Sequence, residues 1–198
     1  MNLILASQSA SRRSMLDAAG VTYEAVSPQV DEESAKAALK AQGISPRDLA
    51  DALAELKALK LSQLDPTALV LGGDSLVALA DGTLLDKPVD RADAAAHLRA
   101  MSGTSVDLYS AAVIAEGGRP VWRHVDRARL MVRRLSEAFI ESYLDQEWPA
   151  IAGCVGCFRI EGPGVQIFAA TQGSHFTILG MPLLPILDYL RTRGVMTS

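Results

Sequence analysis

The chain has 198 residues, 49% of them apolar, and a net charge of −4. That length predicts a single domain, 1–198, with room for two lobes, and the apolar share is enough for a substantial core. The acidic balance argues against a nucleic-acid partner held by bulk positive charge, and neither a membrane-spanning run nor a secretory leader pattern occurs, so a soluble, cytoplasmic protein without a membrane partner is expected.

Leu3, Ile4 and Leu5 open the chain as a short buried strand. Ser7, Gln8, Ser9 and Ser11 follow, then Arg12 and Arg13, while Met15, Leu16 and Ala19 recur at helical spacing before Gly20. A strand therefore empties into a hydroxyl-rich loop that opens a helix. The first N–H groups of a helix lack internal partners and carry the positive end of its dipole, so with serines and arginines this is a candidate phosphate site. The same residues also permit a plain cap at Ser9 or Ser11 and an Arg13–Asp17 pair across an exposed face. Neither a Walker loop nor a dinucleotide fingerprint is present.

Residues 21–26 alternate as a strand. The acidic cluster Asp31-Glu32-Glu33 sits at a helix start, where it either complements the dipole or helps hold a divalent cation beside phosphates. Ser45-Pro46 begins the next helix, with Leu49, Leu53 and Leu56 predicted along one face. Lys57 lies at the margin of that face, and Lys60 has an equal geometric claim to reach inward.

Residues 67–71 read as a central buried strand that ends at Gly72-Gly73-Asp74-Ser75 and resumes over 76–79. Asp74 stands out, because a carboxylate between apolar segments is costly unless paired, and two preceding glycines let another group come close. A turn-forming role is the plainer alternative. Asp81-Gly82 signals a tight turn, and Asp86-Lys87-Pro88 closes the next strand. Asp90 caps a helix running to Met101. Residues 106–115 and 121–132 form a long antiparallel pair, and Ser136 caps a helix with Phe139, Ile140, Tyr143 and Leu144. Residues 165–169 read as a strand, 172–175 as a loop and 183–190 as the last helix. Cys154 and Cys157 have C-x-x-C spacing but no second pair, and read as small packed residues. Strands and helices mix without regular alternation, which predicts an α/β or α+β fold with a mixed sheet.

Several stretches, taken together and in order, resemble the Maf family of septum-formation-inhibitor-like nucleotide pyrophosphatases. They are Leu5-Ala6-Ser7-Gln8-Ser9 with the arginines after it, Leu53-Ala54-Glu55-Leu56-Lys57-Ala58, Gly72-Gly73-Asp74-Ser75-Leu76-Val77, Asp86-Lys87-Pro88, Met101-Ser102-Gly103, Ile160-Glu161-Gly162-Pro163-Gly164 and Ile178-Leu179-Gly180-Met181-Pro182-Leu183. The resemblance spans nearly the whole chain. It implies an α/β fold with a mixed, strongly curved sheet, flanking helices and a cleft between two lobes. It implies hydrolysis of a nucleoside triphosphate to the monophosphate and pyrophosphate, cleansing the nucleotide pool, with a divalent cation (Mg, Mn or Co) as cofactor. Family members are often dimeric, which makes a homodimer one candidate assembly.

Carried over residue by residue, Asp74 matches the catalytic aspartate, the base that deprotonates water. Ser7, Arg12, Lys57 and Lys87 match substrate-binding positions, and Glu32 an acidic position serving the metal. Such cations fit the charge that grows on phosphate oxygens and on the leaving pyrophosphate. Ser11, Ser75 and Glu161 fall at positions linked to base choice. Ser11 stands where the family usually has the first arginine of Ser-Pro-Arg-Arg, and Asp86 replaces the usual glycine before Lys-Pro. Glu161, in Cys157-Phe158-Arg159-Ile160-Glu161-Gly162, leans the chain toward the 7-methyl-GTP type, since a carboxylate accepts from a guanine edge. The departures at Ser11 and Asp86 motivate a rival from another class, a nucleotide-binding regulator of cell division or septum formation without turnover. A serine hydrolase is disfavoured, because no G-x-S-x-G elbow occurs.

Overall fold

The computed structural model describes residues 2–197. In chain order the elements are β1 (Leu3–Ala6), α1 (Ala10–Ala18), β2 (Glu24–Val26), α2 (Glu32–Ala41), α3 (Pro46–Ser62) and β3 (Leu69–Ala78). Then come β4 (Leu84–Leu85), α4 (Arg91–Met101), β5 (Ser105–Glu116), β6 (Arg119–Val132), α5 (Glu137–Glu147), β7 (Phe168–Gln172), the short α6 (His175–Ile178) and α7 (Leu183–Thr192). Among the described residues the seven strands form one sheet in the order β2-β1-β3-β5-β6-β7, with β4 paired to β3. The sheet is mixed. β1 runs parallel to β2 and β3, with Leu5 opposite Ala25 and Leu71, whereas β3–β4 and β6–β7 are antiparallel. β1 is apolar and buried throughout because strands flank it on both edges and helices cover such parallel sheets on both faces. Among the described residues no helix is long and apolar enough to cross a membrane.

The described chain divides into two compact units. The first takes residues up to Ser75, Tyr109–Asp126 and those from Leu179 on. Its buried side chains include Leu3, Leu5, Leu16, Leu49, Leu53, Leu69, Leu71 and Ile114. Helix starts follow cap chemistry. Ser9, Asp31 and Ser45 accept from the N–H groups of Arg12, Ser34 and Asp48 at the starts of α1, α2 and α3. The β5–β6 turn is Gly117-Gly118, at φ +59° and +73°, the double left-handed conformation of a type I′ hairpin.

The second unit takes Leu76–Leu108 and Arg127–Ile178. Its core gathers Leu98 and Met101 of α4, Val106 and Leu108 of β5, Leu130 of β6, and Ile140, Tyr143 and Leu144 of α5. Asp90 and Ser136 cap α4 and α5, as their sequence positions predict.

Several local expectations are corrected. The strand predicted over 21–26 is ordered as strand only over Glu24–Val26, because Gly20 turns at φ +69° and Val21 is buried before β2 begins. β3 does not stop at the glycines but runs unbroken from Leu69 to Ala78. Leu56 is 36% exposed, and the buried stripe of α3 is instead Leu49, Leu53, Lys57 and Leu61 with three alanines. Residues 163–167 form a 3₁₀ turn that Pro163 starts, and the strand follows as Phe168–Gln172. The predicted loop at 172–175 contains the end of β7 and the start of α6, and the last helix extends two residues further, to Thr192.

Candidate active site

Alternation along β3 organises the first unit's polar cluster. Gly72 and Asp74 face α3, while Gly73 and Ser75 face Arg12 of α1. A Cβ on Gly72 would stand 2.3 Å from the Ala54 carbonyl oxygen and 2.7 Å from the Ala58 nitrogen. Gly72 thus serves close approach of helix to strand, not a turn. That approach brings Lys57, one turn beyond Leu53, against Asp74. Lys57 Nζ lies 2.7 Å from Asp74 Oδ1 and 2.9 Å from Glu32 Oε2. The Lys57 and Asp74 side chains are 8% and 9% exposed, whereas Glu32 is 44% exposed. Lys60 lies on the outer face of α3. Burial and pairing decide between the two lysines.

The two arginines divide in the same way. Arg13 is exposed and donates to the Gln8 carbonyl; Asp17 accepts from the Tyr23 hydroxyl. Arg12 is buried. Its Nε donates to the Gly180 carbonyl at 2.9 Å, Nη1 to Ser7 Oγ at 3.4 Å and Nη2 to Ser75 Oγ at 3.0 Å. Burial lowers the Arg12 pKa, and the nearby charges of Asp74 and Glu32 oppose that shift. Ser7 Oγ accepts from the Ser9 N–H as well as from Arg12, so its own proton remains to donate. Ser11 Oγ donates to the Leu179 carbonyl at 2.7 Å. Ser7, Ser11, Arg12, Glu32, Lys57, Asp74 and Ser75 therefore all belong to the first unit.

Lys87 and Glu161 belong to the second unit and are both exposed, as is Asp86. There Glu161, Arg159, Glu147 and Lys87 all act electrostatically on the half-buried Cys154, whose pKa burial raises. Arg159 points both Nε, at 2.9 Å, and Nη2, at 2.8 Å, at one carboxylate oxygen of Glu147, Oε2, and the Glu147 side chain is 5% exposed. A Cβ on Gly164 would stand 2.5 Å from the Arg159 carbonyl oxygen. The segment carrying Glu161 is thus pinned from inside by an ion pair and a glycine contact.

A profile described as Maf-like protein matches residues 2–193. The chain belongs to the Maf-like family. Among curated Maf-like relatives, a nucleoside triphosphate pyrophosphatase of Sphingopyxis alaskensis is 50% identical over 98% of this chain and 98% of its own. Nucleoside triphosphate pyrophosphatase 1 of a Jannaschia species is 48% identical over 98% of this chain and 97% of its own. A nucleoside triphosphate pyrophosphatase of Caulobacter vibrioides is also 48% identical, over 98% and 96%.

Among the described residues of this Maf-like chain, no group of three or more His, Cys, Asp or Glu is gathered as a metal site. The donor set nevertheless fits a hard divalent cation bound together with substrate. Glu32 and Asp74 converge on one ammonium, and Mg²⁺ is commonly held by one or two carboxylates plus substrate phosphates rather than by a protein cage.

Three groups that pair with side chains of these two units, each within its own unit, were not read from the sequence. Ser110 is fully buried and continues the inward alternation Val106, Leu108, Ser110, Ala112 along β5. Glu147 continues the helical stripe Ile140, Tyr143, Leu144 of α5. Both could have been found as polar residues on an apolar face. The Gly180 carbonyl carries no sequence signal beyond its glycine.

Proposed function

We propose that this Maf-like protein is a nucleoside triphosphate pyrophosphatase, hydrolysing a triphosphate to the monophosphate and pyrophosphate in the cytoplasmic nucleotide pool. The observation that carries the reading is the buried Asp74–Lys57 pair, extended by Glu32, within the electrostatic reach of buried Arg12. The names of the near-full-length relatives agree with it.

In the proposed reaction the α1 N-terminus, Ser7 and Arg12 hold phosphate oxygens. Arg12 commits three of its N–H groups to Gly180, Ser7 and Ser75, which fixes the guanidinium plane before substrate arrives. The Lys57 ammonium has three donors and gives two to Asp74 and Glu32, leaving one for a phosphate oxygen. Asp74 takes the proton of the attacking water as its oxygen bonds to the α-phosphorus, and the bond from that phosphorus to the leaving pyrophosphate breaks. Glu32 would hold a divalent cation, Mg²⁺, Mn²⁺ or Co²⁺, which supplies charge neutralisation on the phosphates. Lys87 is assigned to phosphate binding and Glu161 to the choice of base, with 7-methyl-GTP the leading substrate.

The test is pyrophosphate release from dTTP, UTP, GTP and 7-methyl-GTP with each metal, wild type against Asp74→Asn. Metal-dependent release that is lost in Asp74→Asn while nucleotide still binds is the expected result. Binding without release from any triphosphate would replace the enzyme with a nucleotide-binding regulator.

A further inference from the structure

We infer that Ser75 is a positioning residue that fastens Arg12, rather than a contact to the nucleobase: its hydroxyl is saturated by Arg12, Gly180 and Ser110. The inference rests on the proposed role of Arg12 in binding the triphosphate.

A serine hydroxyl has one proton to give and two lone pairs to receive. Ser75 Oγ lies 3.1 Å from the Gly180 carbonyl oxygen, which can only accept, so the single proton of Ser75 goes there. Arg12 Nη2 at 3.0 Å can only donate, which fills one lone pair. Ser110 Oγ at 3.0 Å must then be the donor, which fills the other. Nothing remains on Ser75 to read a base edge.

The same Gly180 carbonyl accepts from Arg12 Nε at 2.9 Å. Arg12, Ser75 and Gly180 thus form a closed ring of hydrogen bonds, with buried Ser110 as its anchor on β5. Gly180 holds φ +106°, and a Cβ there would stand 3.3 Å from Ser75 Oγ, so the ring also needs glycine at this corner. Removing the Ser75 hydroxyl leaves an Arg12 N–H and the Gly180 carbonyl short of a partner and frees the guanidinium to tilt. A phosphate ligand feels that tilt whatever base it carries.

The experiment measures kcat and KM for a panel of purine and pyrimidine triphosphates with Ser75→Ala, Ser110→Ala, Arg12→Ala and the Ser75→Ala/Arg12→Ala double variant. The expected result is a loss in kcat/KM of about tenfold for Ser75→Ala, the same factor for every base, and a smaller loss in the same direction for Ser110→Ala. In the Arg12→Ala background the Ser75→Ala loss should vanish. A base-selective change, or a full further loss in that background, overturns the inference. Should Ser75→Ala not fold, Ser110→Ala and its double variant with Arg12→Ala carry the same comparison. A wild-type protein inactive on the whole panel would overturn the proposed activity instead. The Arg12 Nε–H signal in ¹⁵N NMR then decides the positioning claim: faster hydrogen exchange in Ser75→Ala supports it, and unchanged exchange defeats it.

Discussion

Lys57 and Asp74 meet as an ammonium and a carboxylate 2.7 Å apart, with both side chains more than nine-tenths buried. A pair of this kind is held together as much by what its separation would cost as by its own attraction. Desolvation offsets most of the Coulomb gain, yet a single partner left behind is an uncompensated buried charge.

Lys57→Met is therefore expected to destabilise the protein by about 3 to 5 kcal/mol. The double variant Lys57→Met/Asp74→Leu should cost less than Lys57→Met alone. Glu32→Gln, removing the half-exposed partner, should cost no more than about 1 kcal/mol. Urea unfolding of wild type, Lys57→Met, Asp74→Leu and the double variant gives the cycle, and additive losses at 57 and 74 would contradict it.

Gly72→Ala places a methyl group against the α3 backbone, with approaches of 2.3 and 2.7 Å that no side-chain rotation relieves. The helix must shift, at a cost of about 1 to 3 kcal/mol or more. Because Lys57 rides on that helix, turnover should fall further than stability alone explains, measured at a temperature where the variant is still fully folded. A variant with wild-type kcat and midpoint would show that α3 has slack.

Cys157 is fully buried, with His97 Nδ1 3.2 Å from its sulfur, and burial pushes its thiol up to about 12. A raised folded-state pKa means that the folded protein keeps its proton where the unfolded chain loses it. That stabilising contribution is whole below the ordinary thiol value of about 8.5 and declines as pH rises from there toward the folded value. Under reducing conditions, the stability advantage of wild type over Cys157→Ala should shrink between pH 8 and pH 10, by up to about 1.4 kcal/mol per pH unit. Half-buried Cys154 should react with a thiol reagent before Cys157. An advantage independent of pH would count against this account.

Glu161→Gln should lower the kcat/KM ratio for guanine over pyrimidine triphosphates by about tenfold, since an amide presents both a donor and an acceptor where the carboxylate only accepts. Equal ratios in the two proteins would remove Glu161 from base choice. The Glu147–Arg159 pair holds the same segment, so Glu147→Gln offers a control in which the loop is loosened and Glu161 is intact.

Caps and turns were legible in the chain itself. Ser9, Ser45, Asp90 and Ser136 all cap helices, and Asp81-Gly82 turns. These are local bargains between a side chain or a permissive backbone and the few residues next to it, so sequence spacing suffices to find them. The mixed α/β class followed from the same signals. The run of family motifs pointed to Asp74, Lys57 and Arg12 as a set.

What the sequence by itself determined, then, is the mixed α/β class, most of the helix starts and the set of residues proposed for the chemistry. What only the tertiary structure decided is which of two neighbours turns inward and what it meets there. Lys57 rather than Lys60, and Arg12 rather than Arg13, are buried because α3 lies on Gly72 and α1 beside Gly73. Gly-Gly-Asp-Ser continues a strand instead of ending it, because Gly72 answers to a helix 14 to 18 positions earlier in the chain and Gly73 to the Arg12 side chain 61 positions earlier, not to their own neighbours. Ser75 binds Arg12 and Gly180, 63 and 105 positions away, through hydrogen bonds that exist only once the fold brings those atoms within about 3 Å. Contacts of that range carry no periodicity along the chain, which is why they wait for the fold.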